Sequence, residues 1–180
     1  MIESCKGYGC IPAKFMFVGI SAGKLGALKT EVPFTKDMSG RLFQRVLYHL
    51  GLSKTANEKT LRPELIDCYV TNMVKGRILD KKGNNRLPNE TEVLYWLPKL
   101  QHELIDVKPT VIIALGKLVA HDLQKAFQYG LLLKTPGLTL LELKHPRAYG
   151  SRGAINAESE GWKEMLSDYE RHLKQFQILG

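Results

Sequence analysis

Long hydrophobic runs are missing from this chain of 180 residues. The longest apolar stretches, residues 15–18 and 111–115, fall far short of the ~20 residues that a membrane span needs. Residues 1–6 carry no basic start followed by an apolar stretch, so no secretory signal is read and the expected location is cytoplasmic, without membrane contact. Cysteine is scarce. Cys5, Cys10 and Cys68 make an odd count, which argues against a disulfide framework and for a reducing compartment. No two of the five histidines have metal-ligand spacing. Acid is short as well: 18 Asp and Glu stand against 26 Lys and Arg, a net charge of +8. That excess points to a polyanionic partner, most often nucleic acid. With 16 Gly and 8 Pro, the composition excludes collagen-like and wholly disordered chains. The length fits one domain over residues 1–180, monomeric, with residues 1–12 expected to be loosely ordered.

Four short runs rich in strand formers stand out, at residues 15–18, 68–71, 110–115 and 138–143. The first three are unbroken rather than alternating, which suits strands covered on both faces. Helical patterns occupy residues 39–50, 90–105, 117–127 and 161–176. The first turns Leu42, Phe43, Val46, Leu47 and Leu50 inward, and the second Val93, Leu94, Leu97, Leu100 and Leu104. Strand and helix alternate throughout, predicting an α/β fold with a mostly parallel sheet and helices on both faces. Ligand sites in such sheets lie at the carboxyl ends of the strands. The residues just after each run are therefore candidates: Gly19-Ile20-Ser21-Ala22-Gly23, then Asn72-Met73-Val74-Lys75, then Gly116-Lys117, then Lys144-His145-Pro146-Arg147. Residues 75–86 hold Lys75, Arg77, Lys81, Lys82 and Arg86 against one acid, Asp80, and residues 144–153 hold Lys144, Arg147 and Arg152 with none. The expected basic face is this rim.

Gly19 to Lys24 is not a phosphate-binding P-loop. Three residues separate its glycines where that loop has four, and Leu25 replaces the required Ser or Thr. A dinucleotide fingerprint fails on spacing too. His145 stands before a proline, which forces it extended, so it is either a turn residue or an imidazole aimed from the mouth of the sheet. Asn72 is either a turn amide or a reader of ligand edges, and Phe34 either anchors its loop or stacks on a base. Cys68 reads as core.

Gly19-Ile20-Ser21-Ala22-Gly23, the stretch Pro33-Phe34-Thr35-Lys36-Asp37-Met38-Ser39-Gly40, Val70-Thr71-Asn72-Met73-Val74-Lys75, Asn85-Arg86-Leu87-Pro88, the run at residues 108–117 and His145-Pro146 together resemble the uracil-DNA glycosylase superfamily. They look closest to its thermostable branches, family 4 and the B-type family 5. The resemblance covers about residues 14–173 and implies a three-layer α/β/α sandwich around a mostly parallel four-stranded sheet. It implies a repair enzyme that flips uracil or another deaminated base from DNA and hydrolyses its N-glycosidic bond. By the same resemblance Phe34 stacks on the base and Asn72 pairs with its edge. His145 steadies the departing anion, and Gly19, Ile20, Ser21 and Gly23 border the sugar and the attacking water. Residues after Pro146 probe the duplex, and Lys75, Arg77, Lys117, Lys144 and Arg147 are the expected DNA contacts.

Two departures qualify this set. Relatives carry a water-activating Asp, Asn or Glu in the first turn, where this chain has Ile20 and Ser21. Asp37 is the nearest substitute, although it also suits the cap of a helix starting near Ser39. The catalytic candidates are therefore His145, Asp37 and Ser21. The iron–sulfur branches use four cysteines, and two of those positions are Gly76 and Trp96 here, so no cofactor and no metal are expected. A weakened relative that binds damaged DNA without turnover is the rival reading, and a mononucleotide-binding protein on the same fold a third.

Overall fold

The computed structural model describes residues 5–57, 59–150 and 159–177. Five strands and six helices are formed among them: β1 (Tyr8–Gly9), β2 (Phe15–Ser21), α1 (Ala27–Thr30), α2 (Met38–His49), β3 (Cys68–Val74), α3 (Glu90–Val107), β4 (Val111–Leu115), α4 (Lys117–Gln128), β5 (Thr139–Leu143), α5 (Arg147–Gly150) and α6 (Glu160–Gln177). The sheet order is β1-β3-β2-β4-β5, parallel throughout except for β1. No helix among the described residues is long and apolar enough to cross a membrane.

Alternation along β2 builds the two halves of the core. Phe15 and Phe17 point to the face covered by α2 and α6, where they meet Phe43, Val46, Leu47, Met165 and Tyr169. Met16 and Val18 point to the face covered by α3 and α4, where they meet Trp96, Leu100, Val119 and Leu123. Both faces being covered explains the unbroken apolar runs of β2, β3 and β4. The expected α/β/α sandwich is this arrangement.

The sheet has five strands where four were expected. Tyr8–Gly9 pairs antiparallel with Tyr69–Val70 of β3, and Cys5 and Tyr8 are buried. The segment ahead of Pro12, expected loose, thus contributes an edge strand. Only two residues pair, and a run so short carries no periodicity to read. The inward stripe of α3 also differs. Trp96, Leu97, Leu100, Leu104 and Val107 are buried, while Leu94 is 44% exposed.

Two helices, α2 and α3, start on side-chain caps that position the loops around the sheet. Asp37 accepts the Gly40 N–H at 2.8 Å and opens α2. Asn89 and Glu92 form a reciprocal capping box on α3. Phe43 on α2 is fully buried between Phe17 and Phe34, with ring centroids 5.2 and 4.8 Å away. Truncating Phe43→Ala should therefore cost about 3–5 kcal/mol. Urea unfolding checks this, and a loss below about 1 kcal/mol would show that the ring is not part of the packed core.

Candidate active site

The chain leaves β2 to cross to β3 on one side and leaves β4 to cross to β5 on the other, so the carboxyl ends of these strands flank a switch point. A cavity of about 580 Å³ opens there, lined by Ile20, Ser21, Gly23, Phe34, Asp37, Asn72, Gly116, Lys117, His145 and Arg147 among others. That size is ordinary for a small-ligand site, roughly 300–1,000 Å³.

Register places the floor. Gly19 on β2 stands beside Asn72 on β3. A Cβ at Gly19 would lie 2.5 Å from Asn72 Oδ1 and 2.6 Å from Phe34 Cζ, so only glycine lets amide and ring close over the strand. Asn72 is 2% exposed, and nothing among the described residues hydrogen-bonds its side-chain amide. Phe34 sits at φ 53°, an uncommon conformation for an aromatic residue. Its surroundings hold it there: Gln44 Nε2 donates to its carbonyl at 3.2 Å, and the buried Thr35 hydroxyl donates to Val32 O at 2.8 Å. Gly40 completes the support, because a Cβ there would lie 2.6 Å from Phe34 C.

His145 lines the same cavity, its ring centroid 5.9 Å from that of Phe34. Its Nδ1 accepts the Arg147 N–H at 3.2 Å. The ring proton of the neutral form is thereby assigned to Nε2, which has no partner among the described residues. Burial, helped by the neighbouring Arg147, pushes the imidazole down to about 4. At neutral pH the group is an uncharged N–H donor. Asp37 Oδ1 is spent on the helix cap, while Oδ2 lies against the glycine turn, 2.6 Å from where a Cβ of Gly26 would stand. Ser21 and Ile20 are half-buried on the cavity wall.

The cations divide into two groups. Lys117, Arg147 and Arg77 are exposed and have no ion-pair partner among the described residues. Lys117 and Arg147 border the cavity itself. Lys144 is 57% exposed and pairs with Glu164 at 3.0 Å. Lys75 must be corrected as a DNA contact. It is 2% exposed, and its ammonium donates to Thr71 Oγ1, Asn72 O and Glu103 Oε2 at 2.7–2.8 Å. Arg86 forms a bidentate pair with Glu92 that anchors its loop to α3. Arg152 lies outside the described residues, as does part of the loop after Pro146. The sequence reading missed Glu103, although its place three residues after Leu100 and four before Val107 sets an acid on the buried stripe of α3. It quoted Asn85 without a role; Asn85 accepts the Lys24 N–H at 2.9 Å and ties the basic loop to the glycine turn.

Residues 6–166 match the profile of the uracil DNA glycosylase superfamily. The chain belongs to that superfamily. It is 32% identical over 112 residues to a type-4 uracil-DNA glycosylase of Saccharolobus solfataricus, covering 62% of this chain and 44% of the relative. It is 28% identical over 148 residues to a type-5 uracil-DNA glycosylase of Pyrobaculum aerophilum, covering 77% and 63%. A type-4 uracil-DNA glycosylase of Archaeoglobus fulgidus is 31% identical over 121 residues, covering 67% and 52%. The chain thus spans between two fifths and two thirds of the length of these curated relatives.

An iron–sulfur cluster, which the resemblance brings into question, does not fit the thiols present. Cys5 packs with Ala22 and Ala27, Cys68 lies in the core under α2, and Cys10 flanks the core under α3. Cys10 and Cys68 donate to the carbonyls of Leu65 and Leu52 at 3.3 and 3.4 Å. Burial pushes the Cys5 thiol up to about 12 and raises Cys68 as well. A four-iron cluster needs four thiolates. Among the described residues, no group of three or more His, Cys, Asp or Glu could hold a metal ion. Protein purified without oxygen should hold far less than stoichiometric iron and lack the broad visible absorbance of a cluster. Four irons per chain by metal analysis would overturn this.

Proposed function

We propose that this superfamily member is a DNA glycosylase that extrudes uracil or another deaminated base and hydrolyses its N-glycosidic bond. The observation that carries the reading is the convergence of Phe34, Asn72, His145 and Asp37 on one cavity at the strand ends. A base must leave the duplex to be reached, at a cost of a few kcal/mol. Phosphate contacts from Lys117, Arg147 and Arg77 offset that cost. Phe34 offers a face for stacking and Asn72 an unspent amide for the base edge. As the bond between C1′ and the base nitrogen breaks, negative charge grows on the base oxygens. The Nε2–H of His145 donates to it. A neutral donor suits this task, since a preorganised hydrogen bond stabilises the charge without a proton having to be moved first. Water adds its oxygen to C1′, and its proton passes to Asp37 Oδ2 or to solvent. The protein acts as a monomer in the cytoplasm and without a bound cofactor.

A second reading, binding of damaged DNA without turnover, draws on the glycine turn, where Ile20 presents carbon to the cavity and one Asp37 oxygen is committed to the cap. One assay separates the two. Protein incubated with duplexes containing uracil, hypoxanthine or xanthine should leave alkali-labile abasic sites in at least one. Tight binding of such duplexes without strand breaks would select the second reading.

His145 supplies a sharper test. His145→Ala should slow single-turnover excision by about 10²–10³-fold with little change in DNA affinity. The ratio of wild-type to variant rate should stay level through the ordinary imidazole range near 6.5 and change only as the pH drops toward about 4, where Nδ1 takes up a proton and loses its bond from the Arg147 N–H. A step in that ratio near pH 6.5 would mean that a charged imidazole does the work.

A further inference from the structure

Lys75 and Glu103 occupy a gap in the sheet directly behind the base-reading residue. β1 pairs with β3 only at Tyr8↔Val70 and Gly9↔Tyr69. Beyond Val70 the N-terminal segment leaves β3, and it returns where the Cys5 N–H donates to Lys75 O at 2.8 Å. Among the described residues, no strand accompanies Thr71 and Asn72 on that edge. Lys75 Nζ instead donates to Asn72 O at 2.8 Å and to Thr71 Oγ1 at 2.8 Å, and it pairs with Glu103 Oε2 at 2.7 Å. Glu103 Oε2 also accepts the Thr71 hydroxyl at 2.8 Å, and Oε1 accepts the Gly7 N–H at 3.2 Å. All three ammonium hydrogens have acceptors, in a place that is 2% exposed.

We propose that the Lys75–Glu103 pair positions Asn72: it stands in for the missing strand, holds the Asn72 carbonyl, and so fixes the backbone from which the side-chain amide meets the base edge and tells uracil from cytosine. The role in base reading rests on the glycosylase function proposed above; the positioning itself does not. Uracil presents an acceptor at O4 and a donor at N3, whereas cytosine presents the reverse, so an amide free to flip accepts either base. Selectivity requires the wrong base to leave buried polar groups unpaired, and that penalty exists only if the backbone carrying the amide cannot shift to suit either base. A buried ion pair contributes little net stability compared with apolar residues of similar volume. Its directional bonds to the backbone at Asn72 are what apolar replacements would lack.

This contrast defines the experiment. The double variant Lys75→Met/Glu103→Met should fold with thermal stability near that of the wild type. Its ratio of uracil to cytosine excision, measured in single turnover on matched substrates, should fall about ten-fold or more. Thr71→Val removes the bridging hydroxyl with little change of shape, and should lower the same ratio by a smaller factor even if the double variant does not fold. The Asn72 side-chain NH₂ signals of 15N-labelled protein report orientation without needing activity: one sharp pair in the wild type, displaced or broadened in both variants. Unchanged Asn72 signals and an unchanged ratio would overturn the proposal and leave the pair a stabilising contact. A wild type that excises nothing would sink the glycosylase reading alone, since the Asn72 signals still decide the positioning.

Discussion

Gly19 is the point where the backbone of β2, the ring of Phe34 and the amide of Asn72 meet. Each reaches it from a different element, and any side chain there would displace two of the three. The close approach works only because each partner is anchored elsewhere. The loop carrying Phe34 is pinned by Thr35, by Gln44 and by Phe43 beneath the ring. Asn72 is held by β2 on one side and by the Lys75 ammonium behind it. A missing side chain on the central strand thus becomes a rigid wall with a polar reader and an apolar face side by side. Rigidity is what such a site requires, because a binding constellation held loosely loses most of its discrimination.

Net charge gives an incomplete picture of what this surface offers to a polyanion. Lys75, Arg86 and Lys144 are all engaged internally, with Glu103, Glu92 and Glu164 as partners. The first completes the sheet and the second ties the basic loop to α3, while the exposed Lys144 pairs across the strand end with α6. The only acid of the basic loop is also spent, since Asp80 Oδ1 accepts the N–H groups of Lys82 and Asn84 and closes the turn. The loop is therefore stiff, and Lys81 and Lys82 are exposed on it. A backbone already held loses little further entropy when its lysines meet a phosphate, which favours contact at defined positions over diffuse attraction.

Strands buried on both faces announce themselves as continuous apolar runs, so β2, β3 and β4 were legible, and so were the long helices α2 and α3 between them, though not the four-residue α1. β1 was not, because two residues pair only through a tertiary contact with β3. The site was legible in part. Asn72, Phe34, His145 and Asp37 do line one cavity, and their places after the strands foretold this. Lys75 was misread because a count of charges assigns every cation to the surface. The warning was nearby. An acid at Glu103, on a stripe otherwise made of Trp96, Leu100 and Val107, asks for a buried partner, and the end of a fully buried strand supplies one.

Asp37 shows how one residue can satisfy two readings that the sequence sets against each other. As a helix cap it needs only one carboxylate oxygen, and Oδ1 takes the Gly40 N–H. That bond fixes the start of α2, and with it the placement of Gly40 under the backbone of Phe34. The cap therefore helps to set the stacking face. The same bond fixes the direction of Oδ2, which is turned to the glycine loop on the wall where the proposed reaction places sugar and water. A carboxylate on a mobile loop would have to be ordered at each turnover, whereas one held by a cap is already in place. Capping and catalysis are thus compatible demands on different oxygens, and the first supplies the preorganisation that the second requires.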